Sequence, residues 1–192
     1  MKIIAASLSL ALPLAFASVL SAQQQTFTVN PDTCRVAFSL GGNTHHVDGT
    51  FHVRSGSIKF DQGAQTISGS VIVAAGSGNS GDSGRDKKMN ADVLDVAHYT
   101  DVSFVVKSYQ GTVAASGDST IQVTGVFTLH GTPHDLTIPM QIRVDGSALV
   151  AKTRFQVPYV QWGLKDPSIF ILKVAKVVDI DLMLAGSLTP VK

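Results

Sequence analysis

Residues 121–144 read Ile121-Gln-Val-Thr-Gly-Val-Phe-Thr-Leu-His130-Gly-Thr-Pro-His-Asp-Leu-Thr-Ile-Pro-Met-Gln-Ile-Arg-Val144. Apolar side chains recur at every second position: Ile121, Val123, Phe127 and Leu129, then Leu136, Ile138, Met140, Ile142 and Val144. Thr, Gln and Arg stand between them. A period of two puts one face of a strand on a core and the other in water. Two such runs, adjacent in the chain, predict neighbouring antiparallel strands.

The same rhythm extends outward. Val178, Ile180, Leu182 and Leu184 alternate with Asp179, Asp181 and Met183. Val47, Phe51 and Val53 share a row with Gly49. Further strands are expected at 27–29, 35–40, 57–60, 66–74, 102–109 and 149–157. Turn residues separate them, as in Asp61-Gln62-Gly63, Ser116-Gly117-Asp118 and Asp145-Gly146-Ser147, the last reading as a tight hairpin. That makes about nine or ten strand segments with little helix between them, an all-β, antiparallel barrel or sandwich. Composition agrees: 17 Gly, no Glu among 14 acidic residues, and many Val, Thr and Ser disfavour helix.

Residues 1–22 form a separate unit. Lys2 precedes an apolar run, 3–20, that ends in Ser21-Ala22. This is the pattern of a secretory signal peptide. The expectation is therefore an exported protein, periplasmic or extracellular, with one domain over 23–192 and no stable membrane anchor. Gln23 stands where a lipoprotein would carry its lipidated cysteine. Basic and acidic residues nearly balance, 15 against 14, so no nucleic-acid partner is expected. Cys34 is the only cysteine and reads as a small buried hydrophobe without a disulfide partner.

One long interruption breaks the strands, Ser77 to Phe104. Ser83 and Asp86 are expected to form a capping box for a short helix, Arg85 to Met89. Asp92 is expected to cap a second turn through Ala97. Met89 and Val93, four apart, would tuck onto the barrel. Catalytic signatures in the interruption fail on context. Gly76, Gly78 and Gly81 spell a dinucleotide fingerprint, which needs a parallel βαβ unit; a flexible Gly/Ser loop is the plainer reading. Gly81-Asp82-Ser83-Gly84 resembles a serine-protease nucleophile motif, but Arg85 follows where a glycine belongs. The six histidines, His45, His46, His52, His98, His130 and His134, show no metal-ligand spacing. No enzyme, metal or cofactor is expected. The alternatives are a small metal-dependent or serine hydrolase, or a non-binding structural β-domain. Pro158 to Trp162, followed by Ile169 to Leu172, reads as an aromatic loop, either a plug at the barrel's end or a pocket rim.

Several segments together resemble the YceI-like family of lipid or polyisoprenoid-binding domains. Asn30-Pro31-Asp32 leads into Arg35-Val36-Ala37-Phe38. Gly49-x-Phe51 is followed by Gly56-Ser57-Ile58-x-Phe60. Arg85-Asp86 with Met89 is similar to the family's R-D-x-x-L, and Gly125-Val126-Phe127-Thr128-Leu129-His130-Gly131 to its G-x-L-T-L-H-G. The sequence departs from the family in Thr100, where a proline is usual, and lacks the Asn-Arg pair common near Phe155–Trp162. The resemblance implies an extended, lipocalin-like, eight-stranded antiparallel barrel with a short helical insert. It also implies a carrier for an extended apolar ligand, such as an isoprenoid quinone or polyprenyl lipid. Eight strands leave room for one small ligand. Phe38, Phe51, Phe127, Leu129, Met140 and Phe155 are the candidate lining, with Trp162 beside them. Arg85 either clamps the insert through Asp86 or reaches a ligand's polar head; the clamp is favoured. A homodimer is compatible with the sequence.

Overall fold

The computed structural model describes residues 24–43, 46–169 and 173–191. The leader reading of 1–22, His45 and the Phe170-Ile171-Leu172 run lie outside the described residues. The strands, in chain order, are β1 (Gln25–Val29), β2 (Arg35–Leu40), β3 (Val47–Asp61), β4 (Thr66–Asn79), β5 (Asp101–Gln110), β6 (Gly117–Leu129), β7 (Thr132–Asp145), β8 (Ala148–Val157) and β9 (Val178–Pro190). All pairings are antiparallel. The order β3-β2-β9-β8-β7-β6-β5-β4 closes on itself through β3 and β4. The result is a closed eight-stave barrel.

Nine strands make eight staves because β1 and β2 share one. β1 pairs with the far half of β3, Gln25 opposite Phe60, and β2 with its near half, Val36 opposite Phe51. Both pair with β9 on the other side. Between them Pro31 to Thr33 make one 3₁₀ turn, with the Asn30 side chain accepting from Asp32 N–H at 3.2 Å. Proline cannot donate to a ladder, so the stave breaks there. Cys34 follows the break. Its Sγ donates to Asn30 O at 3.2 Å and accepts from Ala185 N–H at 3.4 Å. Burial pushes its thiol pKa up, and the Ala185 contact offsets only part of this. Alkylation of Cys34 by iodoacetamide at about pH 8 is therefore expected to run slower than that of a free cysteine. A rate equal to free cysteine's would contradict that placement.

Strands predicted as separate at 47–53 and 57–60 are one strand, β3. Two bulges, between Thr50 and His52 and between Val53 and Ser55, shift its register against β4. The first puts its extra residues on β4; the second adds Arg54 to β3 and flips the inward parity from Val47 and Phe51 to Ile58 and Phe60. A reading by strict period two sees that flip as a gap. Likewise β4 runs on to Asn79 where a flexible Gly/Ser loop was expected. Gly78 is needed there because a Cβ would meet the Met89 methyl and come within 2.8 Å of the Phe51 ring. The ring contact leaves no room for a side chain.

The insert is therefore residues 80–100. Its helix α1 spans Ser83–Lys88. The expected cap is displaced by one residue: Asp82, not Ser83, accepts from Arg85 N–H at 2.8 Å. That bond holds the Asp82 carboxyl below the usual carboxylate range. Asp92 does not open the second turn expected of it but lies inside a π turn over Met89–Val93, with Leu94 N–H on Met89 O. Gly76, Gly78 and Gly81 meet no parallel strand, so the dinucleotide fingerprint has no βαβ context.

Candidate functional site

A cavity of about 950 Å³ fills the barrel, near the top of the roughly 300–1,000 Å³ range of small-molecule pockets. Its middle is apolar. Val71, Val123, Ile138, Ala151 and Leu182 line it, one each from β4, β6, β7, β8 and β9, by the same alternation that turned them toward the core. The floor is formed where the turns after β3 and β5 meet. Phe60, Tyr109 and Val113 lie there. Tyr109 OH donates to Asp61 O at 3.3 Å and Val113 N–H to Gln62 Oε1 at 3.1 Å, joining the two turns.

The mouth lies at the opposite end, between the insert and the segment after β8. Met89, Val93, Leu94 and Leu164 make its inner ring. Charges stand only on the rim: Asp82, Arg85, Lys88, Asp92, Lys165 and Asp166. Asp92 and Lys165 approach to 4.0 Å and link the two sides. Both are exposed, so the pair contributes little stability. Tyr159 anchors the far side. It is 5% exposed, and its hydroxyl donates to Ala175 O at 2.8 Å. Burial, aided by the Asp166 charge, pushes its pKa up to about 12, so it stays a donor. Ala175 N–H in turn donates to Gly41 O at 2.7 Å. Asp166 is held below the usual carboxylate range by the hydroxyl and N–H of Ser168.

The residues singled out in the sequence fall as follows. Phe38, Phe51, Phe127, Leu129, Met140 and Phe155 all stand on the cavity wall, and Arg85 stands on its rim. Phe38 and Phe51 pack with ring centroids 5.3 Å apart, and Phe38 lies over Gly49, whose missing side chain makes the space. Trp162 is not on the wall. It stacks on His134 at 4.0 Å and 8°, and against Phe127 at 5.8 Å, as a plug behind the cavity lining. Arg85 and Asp86 do not grip each other as expected. Both grip Ser80: Arg85 Nε donates to its Oγ and Nη2 to its carbonyl, each at 2.7 Å, while Asp86 accepts from its N–H at 2.9 Å. The insert is thus clamped to the end of β4 through one serine.

The floor, the Asp92–Lys165 pair and the Tyr159 tether escaped the sequence reading. Tyr109 was visible as a strand end, but nothing local says that Asp61 lies beside it. Ser83 is exposed in the first turn of α1 and bonds to no histidine among the described residues. Among the described residues no three His, Cys or Asp side chains gather as a metal site. No described helix is long and apolar enough to cross a membrane.

Comparison with solved structures finds the same barrel. BcnA from Burkholderia cenocepacia matches with a TM-score of 0.68 at 20% identity, over 82% of this chain and 99% of that one. A polyisoprenoid binding domain from Saccharophagus degradans, implicated in plant cell wall breakdown, matches at 0.63 and 15%, over 84% and 98%. The YCEI protein of Campylobacter jejuni matches at 0.54 and 13%, over 97% and 98%. At such identities the likeness is one of fold. No curated protein sequence matches the chain significantly. The model of the YceI-like domain matches residues 27–185, and the chain belongs to that family.

Proposed function

We propose that the protein is an exported carrier that holds one extended, isoprenoid-like lipid inside the barrel and performs no chemistry on it. The observation that carries this reading is the distribution of polarity. The cavity is apolar from Phe60 at its floor to Met89 and Val93 near its mouth, and charged only at the rim. An amphiphile therefore sits tail down, with its polar head among Arg85, Lys88 and Lys165. Burying a methylene contributes about 0.8 kcal/mol, so ten of them give about 8 kcal/mol. That is on the scale of the roughly 4–15 kcal/mol lost in ordering on association. The solved neighbour described as a polyisoprenoid binding domain supports the ligand class, and the apolar run at 3–20 supports export. A purely structural domain would fill its core, which a space of about 950 Å³ argues against. A serine hydrolase would need Ser83 beside a base, which its exposed helical turn does not offer.

Native mass spectrometry of the protein purified from its own cells, followed by organic extraction, tests the reading. A stoichiometric long-chain lipid is the expected result. Protein that is empty and refuses long-chain apolar probes would sink it.

A further inference from the structure

The barrel wall has a seam between the mouth-side halves of β7 and β8. Two tight turns set up the strand between them. Leu129 and Thr132 close the two-residue turn His130-Gly131, whose φ values are 51 and 73. Asp145 and Ala148 close the turn Gly146-Ser147. The residues flanking a two-residue hairpin turn are a hydrogen-bonded pair, and backbone groups alternate sides along a strand. Even-numbered residues of β7 therefore address β6, and odd-numbered ones address β8. Pro133 and Pro139 are both odd. Each lacks its N–H on the side that faces β8.

The ladder obeys this. β6 and β7 pair along their whole length, up to Leu129 opposite Thr132. β7 and β8 pair only from Asp145–Ala148 to Gln141–Lys152. Continuing that register would set Pro139 against Arg154, but Arg154 and Gln156 pair only with β9, opposite Asp181 and Asp179. At the point of parting, Thr153 is 7% exposed and its hydroxyl has no partner among the described residues.

Trp162 fills the seam. The loop after β8 folds back, with Trp162 N–H on Pro158 O at 3.0 Å, and lays the indole flat on His134. His134 Nε2 is buried there without a partner among the described residues. A buried unsatisfied nitrogen is costly, and the cost vanishes when water reaches it. Among the described residues, the stack is thus a closure held by ring packing, without a side-chain hydrogen bond. Directly behind it stand Phe127, Phe155, Val157 and Leu164, which line the cavity.

We propose that this seam is a side entrance, through which an extended apolar chain passes when Trp162 swings off His134. The inference rests on the carrier reading above. The axial mouth presents Arg85, Lys88, Asp92, Lys165 and Asp166, with Asp92 and Lys165 bridging it. An apolar chain threading that rim would pass charges along its whole length, whereas the seam offers aromatic and aliphatic edges. The two prolines hold it open against zipping of the sheet.

The test follows uptake and release of an anthroyloxy-labelled palmitate by stopped-flow fluorescence. Pro139→Thr, at an exposed position, restores the missing donor and lets the ladder extend. It is expected to slow both rates about tenfold, as one added backbone hydrogen bond would. Trp162→Leu is expected to speed both, with affinity changed less than either rate. Asp92→Asn is expected to leave the rates within about twofold, the pair it breaks being exposed. Rates that ignore both seam variants, or that rise with Asp92→Asn instead, overturn the inference and leave the carrier reading standing. A wild-type protein that takes up no probe overturns both.

Discussion

Ala151→Trp is expected to weaken binding of a long-chain lipid about a hundredfold while leaving the barrel folded. Ala151 is 4% exposed, at the middle of β8, between Ile142 on β7 and Leu184 on β9. It is the smallest side chain on the cavity's apolar waist. An indole there projects into open space rather than into packed atoms, so the overpacking penalty that follows enlargement of a full core is avoided. On the proposed carrier reading, the space it takes is the one the ligand's tail would fill. Displacing about four methylenes forfeits about 3 kcal/mol, or roughly a hundredfold in affinity. Titration with the labelled palmitate measures the loss, and circular dichroism with urea denaturation measures the fold. Binding within about threefold of wild type would show that the waist is not where the ligand lies.

Gly186→Ala is expected to do the opposite: to damage the fold first. Gly186 lies on β9 where that strand is held from both sides, opposite Val29 of β1 and Leu149 of β8. A Cβ there would fall on the Thr28 carbonyl oxygen and stand 2.9 Å from its carbon, with a Phe27 ring carbon at 3.0 Å. Those obstacles are backbone, and they cannot rotate aside. One methyl must therefore push β1 off the barrel at the stave already broken by Pro31. A loss of about 3 kcal/mol is expected, read as a lower urea midpoint. Gly76→Ala is the control, since its Cβ would make only ordinary contact with Val96 at 3.9 Å. Its unfolding free energy should stay within about 0.5 kcal/mol of wild type. Equal midpoints for both variants would mean that the β1–β9 contact is looser than described.

Both expectations turn on distances between residues far apart in the chain, which is where the sequence reading thinned. Alternation sufficed for β6, β7 and β9, where each strand keeps one parity along its length. It failed on β3, because the bulges near His52 and Arg54 exist only against β4. It misplaced the helix cap by one residue, since Asp82 and Ser83 are both good caps and local pattern does not choose between them. It put Arg85 and Asp86 together because they are adjacent, whereas Ser80, five and six residues away, attracts both. It drew Trp162 toward the ligand because a large aromatic in a loop suits a rim as well as a plug.

By itself, then, the sequence determined an antiparallel all-β domain with one short helical interruption, and which face of its most regular strands is apolar. Those are local properties, written in a period of two and in turn residues. Only the tertiary structure decided that nine strands make eight staves, that the apolar faces enclose a space instead of filling it, and that β7 and β8 part above Pro139. Closure, volume and seam depend on which strand lies beside which, and backbone hydrogen bonds between distant segments settle that.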